Sequence, residues 1–278
     1  MSSLSRRDLI RTASGAAGAV LLSGRAFAAD ADPYGGFRMG MQSYSLRNFD
    51  LDGTLSRFRD LGLKFAEFFP GSRQMPVTDD PAKIAAYQAK LQEYGVTLWA
   101  FGVQQFGTDH DKNRKEFEFG KAMGVKTLTA YPSPEAKTFE SLDALTKEYG
   151  INIAIHNHGP EDKWYRTVDS VVKAVEKWPA AIGACVDTGH FVRAGEDPVR
   201  AIRALGPHVH EVHLKDASAP KVFTLLGKGK LDVAGTLKAL KDVKFDGCLA
   251  IEYEEKPEDP MDDIKACLAT VRETVKGM

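Results

Sequence analysis

From Arg38 onward, short apolar runs rich in β-branched residues alternate with longer stretches whose apolar positions recur at helical period. The runs predict strands at 38–44, 64–69, 96–103, 125–130, 151–156, 182–187, 209–214 and 247–252. The longer stretches predict helices at 53–62, 81–94, 111–123, 136–149, 167–177, 197–204, 232–242 and 260–275. Glycines close several helices directly before the next strand, at Gly62, Gly95, Gly124 and Gly150, each suited to a left-handed C-cap. Asp109 and Asp232 suit N-caps or first-turn acids, and Pro81, Pro198 and Pro260 stand where a helix start tolerates proline.

Strict alternation of strand and helix implies a parallel sheet covered by helices. Eight such units imply that the sheet closes into a (β/α)8 TIM barrel. A doubly wound open sheet is the rival, but it would leave two apolar edge strands and usually carries a glycine-rich phosphate loop after its first strand. Met41-Gln42-Ser43-Tyr44 is no such loop, and Gly227-Lys228-Gly229, in the long connection after the seventh strand, is too short a glycine signal to claim a nucleotide.

The first 28 residues are set apart. Paired arginines, Arg6 and Arg7, precede an uncharged Ala- and Gly-rich run from Ala13 to Leu22, followed by Ala26-Phe27-Ala28. The run is about half of the roughly 20 residues a membrane span needs, so no stable membrane anchor is expected. The pattern matches a twin-arginine signal peptide over 1–28, cleaved after export. The expected organisation is this leader, then one catalytic barrel over 29–278. The expected location is the periplasm, and the expected first partner is the twin-arginine export machinery.

The leader holds four arginines against Asp8, so the remaining chain carries −4 of the whole chain's net −1. A mildly acidic domain argues against nucleic acid as the main ligand, since neutralising phosphates needs a basic face. Cys185, Cys248 and Cys267 are odd in number, and two lie in strand-like runs, where free buried thiols are expected rather than an obligatory disulfide.

Chemistry in such a barrel gathers at the C-terminal strand ends. Four successive strands end in residues able to bind metal: the fifth in His156-Asn157-His158, the sixth in Asp187-Thr188-Gly189-His190, the seventh in His213-Leu214-Lys215-Asp216, and the eighth in Glu252-Tyr253-Glu254. Residues two apart on a strand share a face, which pairs His156 with His158 and His213 with Lys215. An inward ring of imidazoles and carboxylates would lose hydration without compensation unless it held a cation. The candidate ligands are therefore His156, His158, Asp187, His213 and Glu252. The candidate ion is one divalent metal: Mn, Zn, Co, Fe or Mg, with the mixed N/O donor set leaving the choice open. Which of His156 and His158 ligates also stays open. His208 and His210, on the loop and early strand before His213, are expected to be structural, and His110 to face solvent.

These segments resemble the sugar isomerase/epimerase superfamily with the xylose-isomerase-like barrel, over essentially all of 37–275. The superfamily includes tagatose-type 3-epimerases, hydroxypyruvate isomerase, inosose dehydratase and endonuclease IV. The most specific motifs are Val186-Asp187-Thr188-Gly189-His190, Val212-His213-Leu214-Lys215-Asp216 and Ile251-Glu252; Met41 to Arg47 and Ala66-Glu67-Phe68 resemble the first two strands. The resemblance implies that Asp187, His213 and Glu252 are ligands and that His190 touches substrate. One departure stands out: the epimerases end the fifth strand in a Glu that both ligates and moves a proton, and here that place is held by His156.

The expected enzyme is a metal-dependent sugar isomerase or epimerase that removes a proton beside a carbonyl of a sugar or keto-sugar. His156 or His158 would be the base, with Glu252 also at the reacting centre. Lys215 and Glu67 are candidate acids or hydroxyl anchors, and Tyr44, Phe69 and Phe101 a candidate apolar wall. The alternative is a keto-glycoside lyase or hydratase that shares the enolate and expels a β-substituent, since the His-rich fifth-strand end resembles that of inosose dehydratase. A non-catalytic sugar-binding barrel and a nuclease like endonuclease IV are the further alternatives.

Overall fold

The computed structural model describes residues 32–278, apart from Ser72 and Lys221. The expected leader lies outside the described residues. Eight parallel strands close into a barrel: β1 (Arg38–Gln42), β2 (Phe65–Phe68), β3 (Thr97–Phe106), β4 (Thr127–Pro132), β5 (Asn152–His156), β6 (Ile182–Asp187), β7 (Val209–Leu214) and β10 (Cys248–Ile251). Each neighbours the next in chain order, and β1 closes the ring against β10, with Arg38 opposite Cys248 and Met41 opposite Ile251. The open-sheet rival is excluded because, among the described barrel strands, none is left with a free edge.

Helices α1 (Leu51–Asp60), α2 (Pro81–Tyr94), α3 (His110–Met123), α4 (Ala136–Tyr149), α5 (Val168–Val175), α7 (Pro198–Leu205), α8 (Val233–Asp242) and α9 (Met261–Lys276) surround the barrel. Phe58, Phe68, Phe101, Phe117 and Phe191 are fully buried in the core. The sequence places the helix ends as local chemistry dictates. Asp109 and Asp232 cap α3 and α8 by accepting from the N–H groups of Lys112 and Gly235, at 3.2 and 2.8 Å. Gly95, Gly124 and Gly150 sit at φ +66°, +76° and +67°, and Gly62 at +69°, in the left-handed region that a side chain would strain. The prolines open their helices, although Pro260 occupies the residue before α9 rather than its first turn.

Three features depart from the expected elements. The first strand stops at Gln42, and Tyr44 lies in a 3-10 turn, Ser43–Leu46, that bends the chain over the barrel mouth. A short helix, α6 (Thr188–Ala194), begins immediately at the end of β6; its seven residues are too few to show helical period in the sequence. After β7 the chain forms an antiparallel hairpin, β8 (Asp216–Ala219) and β9 (Val222–Thr224), where a long irregular connection was expected. His110 is half-buried rather than exposed, its Nδ1 2.8 Å from Ser141 Oγ. The three cysteines are free and buried, as expected. His208 and His210 stand 3.1 and 2.6 Å from the carbonyls of Ile182 and Ala180, which agrees with structural roles. Among the described residues, no helix is long and apolar enough to cross a membrane.

Candidate metal centre and active site

Parallel register brings the strand ends level. Asp187 lies opposite His213 across β6 and β7, and Ala250, two before Glu252, lies opposite His213 across β7 and β10. One ligand atom each from His156, Asp187, His213 and Glu252 then falls within 4.8 Å of the others, all four residues being buried. His156 Nε2 is 3.1 Å from His213 Nδ1 and 3.4 Å from Asp187 Oδ2, and Glu252 Oε2 is 3.2 Å from His213 Nδ1.

Two of the four donors, Asp187 and His213, are aimed by a second contact. Asp187 uses Oδ1 to cap α6, accepting from His190 N at 2.7 Å, which turns Oδ2 into the cluster. His213 Nε2 stands 2.7 Å from Glu67 Oε2, so its hydrogen is held by the carboxylate and Nδ1 faces the other three residues. A carboxylate behind a ligating imidazole fixes its tautomer and raises its basicity. Asp187 Oδ2, Glu252 Oε2 and His156 Nδ1 are buried without a hydrogen-bond partner. Lys215 Nζ, 3.1 and 2.7 Å from these two carboxylate oxygens, offsets part of their charge, and a divalent ion would supply the directed contacts they lack. Two imidazoles and two carboxylates at this spacing fit one divalent ion of the borderline kind.

Charge in the cluster is unevenly held. Burial alone would raise the carboxyl of Asp187, but Lys215 and the surrounding imidazoles hold it well below the usual carboxylate range. Glu252 is likewise held low, against its burial, by Lys215 and His213. Burial pushes His156 down to about 3, so its ring is neutral and a lone pair is free. Burial would also lower His213, yet the acidic groups beside it, Cys185, Glu67 and Glu252, raise it instead. A proton and a metal ion are alternatives on that ring.

The cluster opens onto a cavity of about 420 Å³ lined in part by Gln42, Tyr44, Phe69, His158, His190 and Phe223. His156, His158 and His190 form one wall, with ring centroids 4.5, 5.3 and 5.7 Å apart. Arg193 donates to His190 Nδ1 at 2.9 Å, which leaves Nε2–H for the cavity, and burial keeps this ring neutral. Tyr44 packs edge-on against Phe69, centroids 5.1 Å apart, as part of an apolar wall.

Four expected site residues take other positions. His158 stands outside the four-residue ligand group, because the chain has left β5 and its imidazole turns into the cavity, Nδ1 3.7 Å from Asp162 Oδ2. Glu67 is fully buried and cannot anchor a substrate hydroxyl; it holds His213. Lys215 is buried, with Nζ 3.1 Å from Asp187 Oδ2 and 2.7 Å from Glu252 Oε2 and in contact with Glu254. These carboxylates outweigh its burial and raise its pKa well above the usual lysine value, which makes it a fixed positive charge and a poor acid. Phe101 packs on Phe119 in the core, centroids 4.9 Å apart, away from the cavity.

Sequence reasoning missed Glu254, Asp162 and Arg193 as site residues. Glu254 was legible as a neighbour, since it lies two residues beyond Glu252; it lines the cavity, and burial raises its carboxyl above the ordinary range. Asp162 accepts from Tyr131 Oη at 2.7 Å and from the N–H of His158, Trp164 and Tyr165, fixing the loop that carries His158. No spacing rule marks a loop carboxylate of this sort.

Residues 55–273 match the family model described as the xylose isomerase-like TIM barrel, and the chain belongs to that family. Inosose dehydratase of Clostridium perfringens is 28% identical over 141 residues, covering 44% of this chain and 47% of that protein. The match thus spans about half the length of that relative. A crystallised protein of Parabacteroides distasonis superposes with a TM-score of 0.67 at 26% identity, covering 85% of this chain and 98% of that one. A D-tagatose 3-epimerase-like protein gives a TM-score of 0.67 at 17% identity, covering 86% and 98%; it shares the fold.

Proposed function

We propose that this chain is a divalent-metal-dependent enzyme that removes a proton beside the carbonyl of a polyhydroxylated ketone and then expels the neighbouring β-oxygen. The observation that carries this reading is the four-residue ligand group opening onto a cavity whose acid and base candidates are unlike. His156, His213, Asp187 and Glu252 would hold the ion. When bound, it would polarise the carbonyl and stabilise negative charge on its oxygen.

The chain's own residues divide the remaining work. His158 faces the cavity and serves as base, taking the proton from carbon. His190, neutral and oriented by Arg193, donates Nε2–H to a substrate oxygen. Glu254 lines the cavity beside Glu252, and burial raises its carboxyl above the ordinary range, so it is the group placed to supply a proton to the departing oxygen. A base and an acid of different kinds suit a one-way elimination, whereas an epimerase working in both directions is served by two like groups that exchange roles. The name of the relative from Clostridium perfringens, a dehydratase, supports the same choice. Epimerisation is the second reading, favoured by the shared fold of the D-tagatose 3-epimerase-like protein.

The test is incubation of metal-loaded protein with inosose and with free ketoses in D₂O, followed by NMR. Exchange of the α-hydrogen with loss of water supports the elimination. An inverted, deuterated ketose supports the epimerase. Deuterium in neither product set would overturn the proton-abstraction reading. Export by the twin-arginine route is proposed separately, on Arg6-Arg7, the uncharged run from Ala13 to Leu22 and Ala26-Phe27-Ala28.

A further inference from the structure

The charges around the cavity bear on what it can admit. Its acidic lining residues are Glu161, Glu252 and Glu254, and among the described residues the one cation lining it is Arg193. That guanidinium is already engaged. Its Nε donates to Pro220 O at 2.7 Å, one Nη to His190 Nδ1 at 2.9 Å and the other to Glu161 at 3.1 Å. Its Cζ lies 4.9 Å from the centroid of the Phe223 ring.

Barrels of this kind commonly hold a substrate phosphate with backbone N–H groups from the loops after the seventh and eighth strands. Here the first of those loops is filled by its own carboxylate. Asp216, buried at the foot of the hairpin, accepts from Ala217 N and Leu231 N through Oδ1, at 2.7 and 3.0 Å. Its Oδ2 accepts from Gly227 N and Gly229 N at 3.0 and 2.9 Å. The Gly227-Lys228-Gly229 stretch is thereby explained: its amides cradle an internal anion. Gly229 is needed because a Cβ would collide with Asp216 Oδ1 and the Ala217 carbonyl.

We propose that the site takes uncharged, unphosphorylated polyhydroxy ketones and rejects their phosphate esters. This rests on the reading of the site given above. A phosphate monoester brings about −1.5 to −2 charges at neutral pH. With Glu252 committed to the ion, it would meet the Glu161 and Glu254 side chains, an Arg193 already paired with Glu161, and a loop whose N–H donors are spent. An uncharged polyol meets donors and acceptors of matching kind in Gln105 and His190, with Tyr44, Phe69 and Phe223 for its C–H faces.

Calorimetry on the metal-loaded protein with D-fructose against D-fructose 6-phosphate, and D-xylulose against D-xylulose 5-phosphate, tests this, with inosose as a cyclic ketone. The expected result is that at least one uncharged probe binds, and binds at least tenfold tighter than any phosphate ester. The Glu161→Gln variant, which frees Arg193 at an exposed position, should raise phosphate-ester affinity several-fold. Equal or tighter binding of a phosphate ester by the wild type would overturn the proposed class and leave the enzymatic reading standing. No gain in the variant would overturn the role given to the paired Arg193. Binding of none of the probes also overturns the class, and the deuterium experiment then decides the enzymatic reading on its own.

Discussion

His213 Nε2 lies 2.7 Å from Glu67 Oε2, although Glu67 belongs to the second strand and His213 to the seventh. The pair crosses the barrel interior, and it decides which ring nitrogen faces His156, Asp187 and Glu252. Replacing Glu67 by Gln keeps the shape and loses the charge. Loss of such a partner typically weakens metal affinity about 10–100-fold. Titration calorimetry with Mn²⁺ or Zn²⁺ on Glu67→Gln should show that loss, and an unchanged affinity would remove Glu67 from the centre.

Ligand and cavity histidines should separate cleanly. Elemental analysis after gentle purification should find about one transition-metal ion in the wild type and a clear loss in Asp187→Ala and His213→Ala. His158→Ala should keep its metal while losing about 10²–10⁴ in rate, the usual worth of a general base. Full metal content in both ligand variants would rule out the four-residue assignment.

Asp162 gives a pH signature. Burial alone would raise its carboxyl, but hydrogen bonds from His158, Tyr131 and the N–H of Trp164 and Tyr165 outweigh it and hold it below the usual Asp value of 3.8. A depressed folded-state pKa contributes stability above the unfolded value, and that stability is lost as pH falls toward the folded one. Asp162→Asn should therefore cost about 1–3 kcal/mol at pH 7. Urea unfolding should show the gap between the two proteins narrowing below about pH 4; a gap independent of pH would show that charge is not what matters there.

Gly189 sits where α6 passes Lys215. A Cβ there would meet Lys215 Cγ at 2.5 Å and Cβ at 3.0 Å, near the root of that side chain rather than its mobile end. Gly189→Ala should destabilise by about 1–3 kcal/mol and loosen the salt bridges of Lys215 to Asp187 and Glu252. Denaturant midpoints give the first effect and metal affinity the second. A variant with unaltered midpoint would show that the helix shifts freely.

Changing both Arg6 and Arg7 to Lys should leave the protein in the cytoplasm with its leader uncleaved. Periplasmic protein processed near Ala28 in that variant would end the twin-arginine proposal.

The sequence carried most of the barrel because its signals are local. Gly95, Gly124 and Gly150 end helices whatever lies around them, and the apolar runs of β5, β6 and β7 lead to residues of the candidate ligand group. What escaped depends on contacts distant in the chain. That Glu67 serves His213, not substrate, follows from barrel closure, and no pattern in Ala66-Glu67-Phe68 announces it. Lys215 looked like an acid because its three carboxylate partners come from the end of β6 and the segment after β10. The hairpin at 216–224 was hidden since its strands are three and four residues long and its base is organised by Asp216.

The pairing of Arg38 with Cys248 makes the barrel a ring with a seam between its first and last strands. Until β10 is laid beside β1, both strands offer unpaired backbone and apolar faces to any other chain. Folding must therefore wait for contacts between residues far apart in sequence, which are slow to form. Transient opening of the seam exposes two sticky edges at once, so crowding and residence time should govern aggregation more than the average strength of the core.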